Sequence, residues 1–210
     1  MLKSSIIPKL SSSLDRRDEV PNQELARQIV QDNDKSAVQE LIDNLSSKQK
    51  GIANDSIKVL YEIGEKSPAL ISSYSNEFIA QLKSKNNRLQ WGAMAALNAI
   101  TLEEPKTIFG FLAEIIQAMD GGSVITKDNG VNILIKLCTL ETYKESCFSL
   151  FIEQLHGSPT NQLPMYAERA IPIINESNQG FFVKTLSARL GEIEKESKRK
   201  RVEKVIRKFA

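Results

Sequence analysis

The chain repeats itself every 37 residues, and that period limits it to very few folds. Leu60, Leu97, Leu134 and Ile171 form one column at this spacing, and Ile63, Ile100, Leu137 and Ile174 a second, three positions on. Val59, Ala96, Ile133 and Ala170 precede the first. Apolar residues at helical spacing in every repeat predict one helix per unit that buries the same face each time. A further column, Ser56, Ala93, Gly130 and Ala167, is small in every unit. Gly130 falls inside its helix, where glycine costs about 1 kcal/mol relative to alanine. Close packing is the reason to expect it there.

A second helix belongs to each unit. Leu41, Phe78, Ile115 and Ile152 are its central column, followed by Leu45, Leu82 and Met119. Pro68 and Pro105 recur ahead of it. Proline is tolerated where it opens a helix, because its missing N–H would be unpaired in any case. The turns within units (SSKQKG, KSKNNR, GGSVITKDNG, HGSPTNQLP) are short and polar, as links between antiparallel helices are. Gly121 and Gly122 read as a helix end.

These spacings predict an all-α fold of about five stacked two-helix repeats. Residues 1–20 read as a flexible leader and 21–210 as a single repeat domain. Within it fall a capping helix at 21–33, repeats near 36–66, 67–103, 104–140 and 141–177, and a basic C-terminal cap at 178–210. Leu25, Ile29 and Val30 face inward on the front cap, and Asn33 and Asp34 can cap the next helix. At the far end Val202, Val205, Ile206 and Phe209 make one apolar stripe, on what reads as the second half of a long bent helix.

Paired helices with a proline before the first and a small-residue column in the second are similar to HEAT and armadillo-like repeats. The likeness covers roughly residues 22–209. The stretches NDSIKVLYEIGEKSPALI and KSKNNRLQWGAMAALNAI also resemble an uncharacterised group of prokaryotic HEAT-like proteins. What the resemblance implies is the fold, a right-handed α-α superhelix, with a concave face lined by second helices; it brings no activity.

Charge is uneven. Residues 195–210 hold eight Lys or Arg and two Glu, so a chain of net charge +2 has a body near −4 and a basic tail. The tail includes KRKR at 198–201, similar to a nuclear localisation signal. Basic residues also gather at the first turns: Lys48, Lys50, Lys83, Lys85 and Arg88. With the tail they make a candidate nucleic-acid surface. No stretch approaches the roughly 18 apolar residues of a membrane span, and none resembles a signal peptide, so a cytoplasmic protein is expected.

Little in the sequence suggests chemistry. The single histidine, His156, has no ligand spacing to Cys138 or Cys147, and the two cysteines read as buried free thiols. No catalytic residue, cofactor or metal is expected. The expected function is a non-catalytic scaffold that binds a protein or peptide on its concave face. Its candidate contact residues are Lys58, Tyr61, Arg88, Trp91, Asn98, Asn132 and Arg169, a mixture of aromatic, amide and basic groups. The alternative is a nucleic-acid binder resembling the HEAT-like alkylpurine DNA glycosylases. That likeness rests on Trp91 and Asp128 sharing a column, against a mildly acidic body. A third reading, an accessory factor for chromophore-bearing proteins, comes from the HEAT-like resemblance alone.

Overall fold

The structure is a computed structural model that describes residues 5–209. Among the described residues there are twelve α-helices and no strand. The chain divides into two compact units, Met1–Gly130 and Val131–Ala210.

The first unit begins with α1 (Val20–Asp32) and α2 (Lys35–Asp43). Asn33 closes α1 in the left-handed conformation, at φ 49°. Asp34 then caps α2, its carboxylate accepting from the Ser36 and Ala37 amides at 3.1 Å each. Both residues thus act as caps, which satisfy helix-end groups that would otherwise be unpaired. α3 (Lys50–Lys66) follows and packs against α1 and, most extensively, α5 (Asn87–Ile100). Between them lies α4 (Ser75–Gln81).

The proline columns do open helical segments, but those segments are separate. Pro68 starts a 3₁₀ turn, Pro68–Leu70, and Pro105 starts α6 (Pro105–Gly110); each bends before α4 and α7 (Leu112–Gly121) respectively. The first helix of these repeats therefore comes in two pieces. α7 ends at Gly121 with Gly122 beyond it in an extended conformation, as the glycine pair predicted.

The dividing point falls inside α8 (Val124–Leu137). The second unit continues with α9 (Lys144–Gly157), α10 (Leu163–Ala170), α11 (Gln179–Arg189) and α12 (Glu196–Phe209). An aromatic row runs through it. Phe148 and Phe151 lie 6.4 Å apart, Phe151 and Phe182 6.4 Å, and Phe182 and Phe209 6.0 Å. The final pair is two helices, not one bent helix, because the chain turns extended at Ile193. α12 is tied back by Arg201, whose guanidinium donates two bonds to the Glu168 carboxylate at 2.8 and 2.6 Å. Lys198 donates to the Asn161 side chain at 2.6 Å.

The periodic columns are core. Leu60, Leu97, Leu134, Ile63, Ile100 and Leu137 are all fully buried. The fourth repeat departs from the pattern, since Ile171 and Ile174 are only half-buried. α10 stops at Ala170 and passes into a 3₁₀ turn containing Pro172. A proline there has no N–H for the α-helical bond and its ring would strike the carbonyl one turn back, so the column loses its register.

The expected leader differs too. Residues 1–4 lie outside the described residues, but Ile6, Leu10 and Ser11 are buried against the first unit. Leu10 is fully buried, and the Ser12 amide donates to Asp55 Oδ2 at 2.7 Å. Asn22 donates to the other Asp55 oxygen at 2.8 Å and accepts from the Ser11 amide at 3.0 Å. Two side-chain acceptors, on Asn22 and Asp55, hold the backbone of this turn in place of the regular helix that a periodic search looks for.

Candidate functional site

In the first unit, α3 and α5 bring together four of the predicted contact residues: Lys58, Tyr61, Arg88 and Trp91. Tyr61 and Trp91 pack with ring centroids 5.5 Å apart. Lys58 Nζ lies 4.7 Å from the Tyr61 ring centre, and the Arg88 guanidinium 5.7 Å from that of Trp91. Both cation–ring distances are within the range of net attraction.

What sequence reasoning missed is Glu19, the residue just before α1. Its carboxylate bridges the two cations, pairing with Lys58 at 2.9 Å and with Arg88. Lys58 also pairs with Glu62 at 2.6 Å. No periodic signal could have found Glu19, because it lies ahead of the first repeat and its partners are 39 and 69 positions on.

This bridge corrects the expectation that Lys58 and Tyr61 are exposed. They are 5 % and 8 % exposed. α1 and the segment leading into it cover the face of α3 that an array of bare repeats would leave open. Arg88 and Trp91 remain half-buried, with a solvent-reachable edge. Burial opposes the Lys58 charge, but Glu62, Tyr61 and Glu19 outweigh it and hold the ammonium pKa above that of an ordinary lysine. Partial burial pushes the Glu19 carboxyl up, yet the bonds from Lys58 and Arg88 hold it below the usual carboxylate value. Burial raises the Tyr61 phenol against the pull of Lys58. The Lys58–Glu19 pair is therefore charged on both sides near neutral pH.

Amide pairs border this cluster. Asn86 caps α5 by accepting from the Arg88 amide at 3.1 Å, and its side chain donates to Asn54 on α3 at 2.7 Å. Asn98 donates to Asn129 at 2.9 Å. In the second unit, Arg169 donates to Asn132 at 3.1 Å, joining two members of one column across one period. Arg169 is exposed and Asn132 half-buried.

The remaining sequence candidates are quickly placed. Cys138 and Cys147 are buried and unpaired with each other. His156 is exposed, with Nε2 3.4 Å from the Thr185 hydroxyl. Among the described residues no group of three or more His, Cys, Asp or Glu converges as a metal site would, and no helix is long and apolar enough to cross a membrane. Lys48, Lys50, Lys83 and Lys85 are all exposed. By contrast, Arg88 and all four residues of KRKR bond within the protein.

Comparison with protein families finds no match, and neither does comparison with curated proteins. Solved structures do match. A designed armadillo repeat protein, YIII(Dq)4CqI, superposes with a TM-score of 0.66 at 12 % identity, covering 97 % of this chain and 100 % of that one. Two engineered proteins from a structural genomics consortium score 0.61 at 15 % identity and 0.58 at 16 %. The first covers 98 % of this chain and 100 % of its own, the second 99 % and 98 %. The chain thus has an all-α, armadillo-like helical-repeat fold. The predicted HEAT/armadillo resemblance holds at the level of fold.

Proposed function

We propose that the protein is a non-catalytic scaffold that binds a protein or peptide, with Arg88 and Trp91 as anchors in the first unit. One observation carries this reading: a tryptophan and an arginine stacked at a half-buried position, held rigid by Tyr61 below and Glu19 beside them. Aromatic and arginine side chains of this kind dominate interface energetics, and fixing them beforehand lowers the entropy cost of binding. The paired amides Asn54–Asn86 and Asn98–Asn129 supply the polar border around such an anchor. Arg169 and Asn132 form a separate polar patch in the second unit.

Affinity capture from the native cell tests it, comparing the wild type with Arg88→Ala, Trp91→Ala and Arg169→Ala variants whose circular dichroism confirms folding. Loss of a captured partner in the Arg88 or Trp91 variant supports the reading. If every captured protein stays bound to all three variants, the reading fails.

The nucleic-acid alternative rests on the four exposed turn lysines. Phosphate contacts would make duplex DNA affinity fall steeply with salt. Absence of binding at about 50 mM salt removes that alternative. Pairing of all four KRKR residues with intramolecular partners weighs against it.

A further inference from the structure

We infer that the second unit carries an independent docking groove for a basic amphipathic peptide segment of a partner protein, between α9 and α11. The inference goes beyond the proposed function, which concerns the first unit, and shares no residue with it.

The groove measures about 540 Å³ and is lined by Phe148, Ile152 and Phe181, with Ser149, Ser177 and Asn178 among the polar lining. Phe148 and Ile152 are one helical turn apart on α9 and both half-buried. Across from them, Phe181 is 70 % exposed, the most exposed large apolar side chain among the described residues. Its neighbour Phe182 is fully buried, and adjacent helical positions point about 100° apart. Phe182 therefore accounts for the packing of α11, and Phe181 contributes almost nothing to it. Phe148 contacts Phe151, the start of the aromatic row, so the groove wall is backed by rigid core.

The groove floor is also set. Asn178 is buried, donating to the Ile173 carbonyl at 3.0 Å and accepting from the Asn175 amide at 2.8 Å. Two walls at fixed separation with apolar side chains along one line suit the apolar face of a helix, whose anchors recur every three or four residues.

Charge selects the occupant. Glu145 and Glu153 rise from α9 at either end of the Phe148–Ile152 pair, and Glu176 precedes α11; all three are exposed. Lys184, one turn beyond Phe181, is the opposing charge on α11. Among the described residues none of these four is in an ion pair. Glu145 and Glu153 line the groove and no cation does, which gives it a negative potential that favours lysine or arginine flanking the apolar anchors and repels an acidic segment.

Fluorescence anisotropy with two labelled helical peptides of about 14 residues tests this, each with leucines on one face. One carries lysines on its polar face and its twin carries glutamates. The lysine peptide should bind the wild-type chain at least about tenfold tighter than its twin. Phe181→Ala should weaken it by about tenfold or more, the weight of an aromatic anchor, while leaving thermal unfolding unchanged. The double variant E145K/E153K should abolish the preference. Equal binding of the two peptides, or a Phe181→Ala variant that binds the lysine peptide like the wild type, overturns the inference. So does sedimentation that shows a dimer lost on Phe181→Ala, which would mean that a second copy of the chain covers the groove.

Discussion

Replacing Gly130 by alanine sets two known effects against each other. In a helix interior the change gains about 1 kcal/mol from the unfolded state and from propensity. In this protein the new Cβ would lie 2.3 Å from both Cγ and Sδ of Met119, where ordinary contacts run 3.4–4 Å. Met119 must retreat by about 1 Å or more, and overpacking of this kind costs about 1–3 kcal/mol. It is 1 % exposed, so it has no solvent to retreat into. Overpacking wins, and the variant should be less stable by about 1 kcal/mol net. Urea unfolding followed by far-UV circular dichroism reads this as a midpoint lowered by about 0.4 M at a slope of about 2.5 kcal/mol/M. The decisive control is Met119→Ala, which itself costs about 2–5 kcal/mol but empties the contested space. In that background Gly130→Ala should stabilise by about 1 kcal/mol, so the cycle has a coupling near 2 kcal/mol. A stabilising Gly130→Ala in the wild-type background refutes the argument. So does the same sign in both backgrounds.

Three more outcomes follow from described contacts. Arg189 is 7 % exposed and donates to the Leu155 and Ser158 carbonyls at 2.7 Å each, closing the end of α9. Arg189→Ala should cost about 2–4 kcal/mol, with Arg189→Lys restoring under half, because Nη1 holds both carbonyls while Nε and Nη2 hold Glu192, a spread that one ammonium cannot cover; a melting temperature unchanged by either variant would contradict this. Glu19 has its folded pKa below the ordinary 4.5, so its stabilisation is present above that value and lost as pH falls through the folded pKa. The wild type should therefore lose urea resistance below about pH 4.5, and Glu19→Gln should lose less over the same range; identical acid slopes would sink the assignment. Burial pushes the Cys138 thiol up to about 12, with Cys147 adding to it, and Cys147 to about 11. Both should resist alkylation near pH 8 until the chain is unfolded in denaturant, and rapid labelling of the native protein would show the burial to be wrong.

The periodic core was legible because burial repeats. Leu60, Leu97 and Leu134 occupy equivalent environments, and so do Ile63, Ile100 and Leu137, so a single spacing finds them all. Local polar devices were legible too: Asp34 caps α2 and Gly121 ends α7 because helix ends leave the same groups unpaired wherever they occur. Illegible contacts were those made once. Glu19 to Lys58 and Arg88, Asp55 to Ser12 and Asn22, and Arg189 to the end of α9 follow no period. Each depends on the path of one irregular segment. Lys58 and Tyr61 were misplaced for that reason, since their column is outward in an array of repeats and is covered only by residues outside the array. Pro172 shows the converse: one residue inside the period disrupts the register of the columns around it.

The Glu19 bridge also sets an order of events during synthesis. Arg88 is made 69 residues after Glu19, and a ribosome adds about 5–20 residues per second, so the carboxylate waits about 3–14 s for its second cation. Lys58 arrives sooner, and α1 can settle on α3 while α5 does not yet exist. From Lys58 to Arg88, about 1.5–6 s at the same rate, the front of the chain is seated but unlatched. The latch closes only when the second repeat has emerged, so a stall between Lys58 and Arg88 would leave the nascent chain with its carboxylate half-paired and α3 without its main packing partner.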